Sequence, residues 1–366
     1  MNLRNTAAGM MLIAALVAIG AWHAHCPTAL SRALPQLCLG FDSTSDGGLD
    51  GNAQSEHPRS LVYCRRVCWS PDGRKLLSLT RGECGLDGPL VVHDLDDRPL
   101  CMSIDMHGEP VARAVLAPDG RRVLVATDEA DRGRLWWLGL ESDERKLLLE
   151  APTRTGFTAI AISSQGNLSA AATSDGLIFL CDAASHSPAV LVAGVKSRIS
   201  DLRFSNDGRR LVSAGQDGWL CVWDLQSGEV LQRWKGHDQL ATAAAFLSGD
   251  RLISAGLDDT VRIWEISTGR EIWRGEFGLF GVNALAVSAD GKTAAWGGHQ
   301  SKVVVWDLEN ARKKFDVQVP TSIVWDVQFS PDAKSLAVAG SCGTIRVYDA
   351  QFGADVAELE VGQQTL

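Results

Sequence analysis

Several signatures of enzyme chemistry are missing from this sequence. It has no His-Glu-x-x-His, no Gly-x-Ser-x-Gly and no Gly-x-x-x-x-Gly-Lys. Those are the local patterns that place a zinc pair, a nucleophilic serine and a nucleotide phosphate. There is no Cys-x-x-Cys, and the nine cysteines are odd in number, so any disulfide scheme leaves a free thiol. Basic residues are outnumbered, 35 against 44 acidic, for a net charge of −9. The longest basic run is Arg312-Lys313-Lys314, which reads as a solvated strand connection. Binding a phosphate backbone needs clustered cations, so no nucleic-acid partner is expected. Tyrosine occurs twice and tryptophan 12 times. Several of the tryptophans recur at one place in a repeat, which points to a structural rule and not to a stacking surface.

Long apolar runs are also scarce. One exists, residues 7–24 (AAGMMLIAALVAIGAWHA), preceded by the single charge of Arg4. It is at the short end of the roughly 17–25 residues that span a bilayer. It is expected to be an apolar helix within an N-terminal membrane anchor or signal segment, residues 1–26. An uncleaved anchor is preferred, because bulky Trp22 sits three before a cut after Ala24. Arg4 then keeps the amino terminus in the cytoplasm and the rest of the chain outside it. Secretion after signal cleavage is the alternative. His23 and His25 are read as membrane-boundary residues, not a metal pair. Residues 27–60 are expected to be a flexible linker, since 41–59 is rich in Ser, Asp and Gly.

Residues 61–366 repeat. One tetrapeptide returns as Ser70-Pro-Asp-Gly73, Ala117-Pro-Asp-Gly120, Ser163-Ser-Gln-Gly166, Ser205-Asn-Asp-Gly208, Leu247-Ser-Gly-Asp250, Ser288-Ala-Asp-Gly291 and Ser330-Pro-Asp-Ala333, at spacings of 41 to 47. A second marker follows each: His93-Asp94, Leu138-Gly139, Cys181-Asp182, Trp223-Asp224, Trp264-Glu265, Trp306-Asp307 and Tyr348-Asp349, at spacings of 41 to 45. Each unit holds four strand-like runs, in the fourth unit 199–204, 210–214, 219–223 and 230–234, separated by turn residues. A four-stranded sheet with two apolar faces cannot bury both alone. Stacking such sheets around an axis buries them and leaves only short edges. The expected fold is all-β: a seven-bladed β-propeller of four-stranded antiparallel blades, preceded by the N-terminal apolar helix. Residues 355–361 can supply the last outer strand locally; pairing with a strand near 34–41 is the alternative closure.

This pattern resembles the WD-repeat (WD40) family over about four-fifths of the chain. The fifth unit is closest, with Gly236-His237, Ser254 and Asp258-Asp259-Thr260-Val261-Arg262-Ile263-Trp264. The resemblance implies that His237, Ser254, Asp258 and Trp264 form a buried structural tetrad, not a catalytic triad. Other units depart from it. The fourth has Val195 where His is expected, and the second has His107 in place but lacks the Trp-Asp pair. The sixth and seventh carry Gln300 and Cys342 at the Asp position, so apolar packing must hold these blades. The family's partners usually meet one face, which by register is marked here by Tyr63, Arg154, Arg198, Leu240, Leu257, His299 and Ile323. Two turns on that face read as enlarged, 81–89 and the acidic 128–134.

Among the cysteines, Cys181 and Cys221 read as small hydrophobes in strands. Cys64 and Cys68 lie about 13 Å apart on one strand, too far to bridge. Cys84–Cys101 and Cys26–Cys38 remain candidate pairs. The expected function is a non-enzymatic protein- or peptide-binding scaffold, probed at one propeller face, with no catalytic residue, cofactor or metal assigned. A small-ligand-binding or hydrolytic use of the central channel is the alternative, and would need polar side chains converging at the axis.

Overall fold

The turns between the first two strands of each unit explain why the chain folds back where it does. In the fourth, the Ser205 hydroxyl donates to Asp207 Oδ1 (2.5 Å), and the amides of Arg209 and Arg210 donate to Asp207 Oδ1 and Ser205 Oγ (3.0 and 2.9 Å). Gly208 closes the turn at φ +68°, a region that glycine enters without steric cost. The same serine–aspartate bond recurs at Ser70, Ser288 and Ser330. Asn167 replaces the aspartate for Ser163. At the last turn Ala333 takes φ +59°, a mildly strained choice worth about 1–2 kcal/mol.

The protein is described by a computed structural model that covers residues 63–361 apart from 82–86, 96–100, 130–131, 152–154, 183–188, 193–194, 196, 277 and 279–280. The expected N-terminal helix, the linker and the alternative closing strand near 34–41 lie outside the described residues. Among the described residues, 28 strands form seven four-stranded antiparallel sheets, each built from four consecutive strands. Blades 1 to 7 span 63–104, 111–150, 157–192, 199–235, 241–276, 282–318 and 324–360. The first strands of neighbouring blades lie side by side around the axis. The fourth strands lie outermost, and Val230–Lys235 and Arg270–Glu276 alternate exposed and half-buried residues.

Seven apolar clusters hold the ring, one at each junction between blades. Blades 3 and 4, for example, share Ala170, Ala172, Ile199, Leu202, Leu211 and Trp223, all almost fully buried. Each large side chain removed from water in this way contributes roughly 1.5–3 kcal/mol. No blade has an independent core, which is why the unit is the ring and not the sheet. Closure joins blade 7 to blade 1. Cys64, Val67, Trp69 and Leu76 pack with Ala337, Ala339, Ile345 and Leu359. Val67 N donates to Asp326 Oδ2 (3.1 Å), and Trp69 Nε1 donates to Gln328 O (3.0 Å). Blade 7 completes itself with Asp355–Glu360, paired antiparallel to Thr344–Asp349, as the local-closure reading expects.

One irregularity repeats in every blade. Pairing between the first and second strands slips near the start of the first strand, after its opening residue in blades 2 to 7 and after its second residue in blade 1. The bulged residues are Arg65, Ala112, Thr158, Ser200, Thr242, Asn283 and Trp325. A bulge frees one residue from the ladder and re-aims its side chain. Two of these side chains reach the next blade, Thr242 Oγ1 donating to Val282 O (2.7 Å) and Asn283 Nδ2 to Val324 O (3.5 Å).

Candidate functional site

The bulges lie beside the ring of positions that the sequence marks as a binding face. Arg198, Leu240 and Ile323 stand one residue before the first strands of blades 4, 5 and 7, and Tyr63 heads blade 1. Leu257 and His299 follow the second strands of blades 5 and 6. Their backbones join across the blade end: Gln216 N donates to Arg198 O, Leu257 N to Leu240 O and Ser341 N to Ile323 O (2.8, 2.9 and 3.1 Å). All six side chains are half-buried. Arg154 lies outside the described residues.

Part of this ring forms a continuous arc. Leu257 leans over Gly281 of the next blade, where a Cβ would stand 2.8 Å from its Cδ2. His299 meets Trp325 edge-on, with ring centroids 6.3 Å apart, and the Arg65 guanidinium lies 5.9 Å from the Trp325 ring centroid. Burial pushes the His299 imidazole below its usual range, with the Asp259 charge opposing. The arc therefore runs over blades 5, 6, 7 and 1. Sequence register misses Trp325 and Arg65, because both read as ordinary strand residues. The available signal is their place two residues after Ile323 and Tyr63, where other blades carry Ala112, Thr158, Ser200, Thr242 or Asn283.

The two turns read as enlarged differ from that expectation. Strand pairing continues through Asp128↔Gly133 and Glu129↔Arg132, so the second is a long hairpin with only 130–131 between its strands. Gly133 donates its amide to Thr155 O of blade 3 (3.1 Å), and a Cβ there would meet that oxygen at 2.9 Å. The close approach needs the glycine, and it holds the hairpin as sheet. At the first turn the third strand already begins at Asp87.

Farther along the first strands the axis is charged. Arg66, Arg113, Asp201, Arg203 and Asp326 line one cavity of about 300 Å³, whose other wall includes Ala159, Ile160, Ala161 and Ile162. Asp326 is 3.7 Å from Arg66, and Asp201 is 3.3 Å from Arg203. Each aspartate also accepts a backbone amide from the following blade, Val67 N for Asp326 and Ala244 N for Asp201 (3.1 and 3.4 Å). Burial raises the Asp326 carboxyl, and the Asp201 charge adds to this against Arg66 and the Val67 amide. Burial and then the charges of Arg66, Arg65 and Arg198 press the Arg113 guanidinium well below its usual range.

In blade 5 the four marked residues meet. His237 Nδ1–H donates to Asp258 Oδ1 (2.9 Å), His237 Nε2 and Ser254 Oγ stand 2.7 Å apart, and Trp264 Nε1 donates to Ser254 Oγ (2.8 Å). Burial pushes the Asp258 carboxyl up, but hydrogen bonds from His237, Thr260 and the Asp238 amide, with the His237 charge, hold it well below the usual carboxylate range. Arg262 adds a 2.7 Å ion pair to Asp258 Oδ2. His237 and Ser254 have no exposed surface, and the indole occupies the hydroxyl that a nucleophile would use. The set resembles a hydrolase triad in composition only.

The model of the WD domain, G-beta repeat, matches residues 189–224, 228–265 and 313–349. Each match ends on the third strand of a blade. The chain is a WD-repeat propeller. It is similar to a guanine nucleotide-binding protein subunit beta of Saccharomyces cerevisiae, 44% identical over 41 residues, 11% of this chain and 10% of the relative. It is also similar to eukaryotic translation initiation factor 3 subunit I of Coccidioides immitis, 28% identical over 170 residues, 45% of this chain and 37% of the relative. A third relative is the pre-mRNA-splicing factor cwf17 of Schizosaccharomyces pombe, 26% identical over 118 residues, 32% of this chain and 35% of the relative. The matched segments thus span about a tenth to somewhat over a third of these relatives' lengths.

The WD-repeat pattern fails instructively elsewhere in the propeller. Val195 is buried in the blade 3–4 cluster, an apolar substitute for the histidine. His107, expected at the histidine position of blade 2, points outward. Its side chain is 72% exposed, with φ +54°, and it pairs with Asp105 at 3.0 Å. Register puts Val125 and Leu138 where blade 5 has Ser254 and Trp264, so an inward imidazole would lack the serine and tryptophan that hold His237. Glu109 binds the blade instead, accepting from Thr127 Oγ1 (2.8 Å) and Trp136 Nε1 (3.1 Å) and pairing with Arg134 and Arg145 (3.3 and 3.0 Å). In blade 1 His93 replaces the tryptophan, its Nε2 2.8 Å from Ser78 Oγ, and burial lowers its pKa to about 4.

Among the described residues, Cys64, Cys68, Cys181, Cys221 and Cys342 are free thiols. Burial pushes Cys181 and Cys221 up to about 11, which leaves them unreactive. The pairings Cys26–Cys38 and Cys84–Cys101 involve residues or side chains outside the described ones. No three of His, Cys, Asp and Glu gather as metal ligands among the described residues, and none of their helices is long and apolar enough to cross a membrane.

Proposed function

We propose that this WD-repeat propeller is a non-enzymatic scaffold that binds a protein or peptide across the arc of Leu240, Leu257, His299, Trp325 and Arg65. One observation carries the reading. The bulge of blade 7 presents a tryptophan, edged by His299 and faced by Arg65, where most other blades carry a small residue. Tryptophan and arginine are the residues that most often dominate binding energy at protein interfaces. Their rigid support here lowers the ordering cost of association. Arg198, Ile323 and Tyr63 occupy the same ring and extend the contact. Two of the similar proteins are named as subunits, which supports a role in assembly.

A photo-crosslinker placed at His299 in the full chain tests this. The expected result is capture of one protein, lost in a Trp325→Ala, Leu257→Ala double variant. Loss on the order of 30-fold in affinity corresponds to a hot spot of about 2 kcal/mol. Capture that survives this variant, yet disappears when the Ser-x-Asp-Gly turns at the opposite end are altered, sinks the assignment of the face.

The proposal includes tethering. Residues 1–26 anchor the chain with the propeller outside the cytoplasm, with secretion after cleavage as the alternative. The support is the apolar run 7–24 behind Arg4. Membrane fractionation with external protease separates the outcomes: a membrane-bound, externally cleaved propeller is expected, and a chain protected inside the cell refutes the orientation.

A further inference from the structure

The channel holds a cation that the ring itself does not match. Asp201 and Asp326 are each engaged twice, by an arginine and by a backbone amide of the next blade. Arg113 lines the same cavity. Its only hydrogen bond among the described residues runs from Nη1 to Ala112 O (2.8 Å). Its Nε is buried without a hydrogen-bond partner, and no carboxylate among the described residues lies within ion-pair distance of it. Three arginines against two aspartates leave the cavity one positive charge in excess, inside a chain whose net charge is −9. Arg113 is half-buried in the cavity wall, and a guanidinium removed from water without an ion-pair partner is unfavourable, so its retention calls for an occupant.

We propose that this cavity binds a small phosphate-type oxyanion, with Arg113 as its principal ligand and Arg66 and Arg203 flanking it. Guanidinium forks suit an anion with several oxygens, which can accept from more than one arginine at once. A cavity of about 300 Å³ suits a small molecule and not a folded partner. Ser164, Ser205 and Asn206 mark its end near the Ser-x-Asp-Gly turns, opposite the end of the strands that bears the tryptophan arc. None of Arg65, Leu240, Leu257, His299 and Trp325 lines this cavity, and the proposal does not rest on the scaffold reading. The shared chemistry admits inorganic phosphate or a small phosphate monoester.

Calorimetry of the full chain against inorganic phosphate, phenyl phosphate and acetate at constant ionic strength tests the proposal. One-site saturable binding of phosphate or phenyl phosphate is expected, with acetate much weaker. The tighter of the two phosphates identifies the source. Arg113→Met should weaken binding about tenfold or more, the loss typical of a hydrogen bond to a charged group. It should not lower stability in anion-free buffer, since it removes a half-buried guanidinium that has no ion-pair partner among the described residues. If the variant fails to fold, thermal unfolding of the wild type decides. Its midpoint should climb with phosphate and not with acetate, because a ligand of the folded state stabilises it by mass action. No saturable phosphate binding, a midpoint indifferent to phosphate, or equal affinity in Arg113→Met overturns the assignment.

Discussion

Blades 5 and 2 place a histidine at the same register and use it in opposite ways. His237 is fully buried between Asp258 and Ser254, with Trp264 capping the serine. His107 stands in solvent beside Asp105. The strands of the two blades pair alike, and both blades are packed on each side by apolar clusters. The comparison teaches that the histidine follows its partners. Without a serine and a tryptophan inside, an imidazole is worth more in water, because a buried polar group with no hydrogen bond costs about 1–3 kcal/mol. Blade 2 then secures its first strand through Glu109, a carboxylate facing two arginines, an indole and a hydroxyl. Two different polar networks thus pin one backbone geometry.

The contrast can be broken most sharply at His237. His237→Ala leaves a cavity and breaks the link between Asp258 and Ser254, while Asp258 keeps Arg262, Thr260 and the Asp238 amide; it should cost about 2–4 kcal/mol, which denaturant unfolding measures. Glu109→Gln, which keeps shape but removes the charge facing Arg134 and Arg145, should cost about 1–3 kcal/mol. Its effect should concentrate in hydrogen exchange of blades 1 and 2 and leave the blade 5 amides unchanged. A smaller effect separates blade 1 from both. His93 has its pKa lowered to about 4 by burial, against about 6.5 when unfolded. The unfolded chain therefore binds the extra proton between those values, so stability is full above about pH 6.5 and falls as the pH drops toward 4. His93→Trp, the residue of blades 4 to 6 at that position, should flatten the stability slope across that window; an unchanged slope contradicts the assignment. Least of all, His107→Ala should change stability by no more than about 0.5 kcal/mol, as for a surface residue. A cost near that of His237→Ala would restore the equivalence that register suggests.

Much of the architecture is legible in the residues. The Ser-x-Asp-Gly turns and the Trp-Asp markers are local, and hydrogen bonds spanning two to five residues shape the turns. Strands expected at 199–204, 210–214, 219–223 and 230–234 are observed as Ile199–Phe204, Arg210–Gly215, Trp219–Asp224 and Val230–Lys235. The tetrad is also legible, since a fixed register puts its four members into one blade. The reading of 128–134 as a loop is not borne out. Its charges and glycine look like a turn, but the two strands pair through to Glu129↔Arg132, with Gly133 hydrogen-bonded to Thr155 of the next blade.

The candidate sites divide along the same line. Register along the chain places Leu240, Leu257, His299 and Ile323 at one end of the blades, because each position depends on a strand and its own turn. It does not reveal that Trp325 stands on a bulge beside His299 and Arg65, nor that Arg113 shares a cavity with Asp201 and Asp326. Those neighbours belong to different blades; Val67 and Asp326 are 259 residues apart and in hydrogen-bond contact. Repeated local chemistry was enough to determine the blade, its turns and its count. What meets across the axis was decided only when the seventh sheet packed against the first, since ring closure is the step that converts distance along the chain into contact.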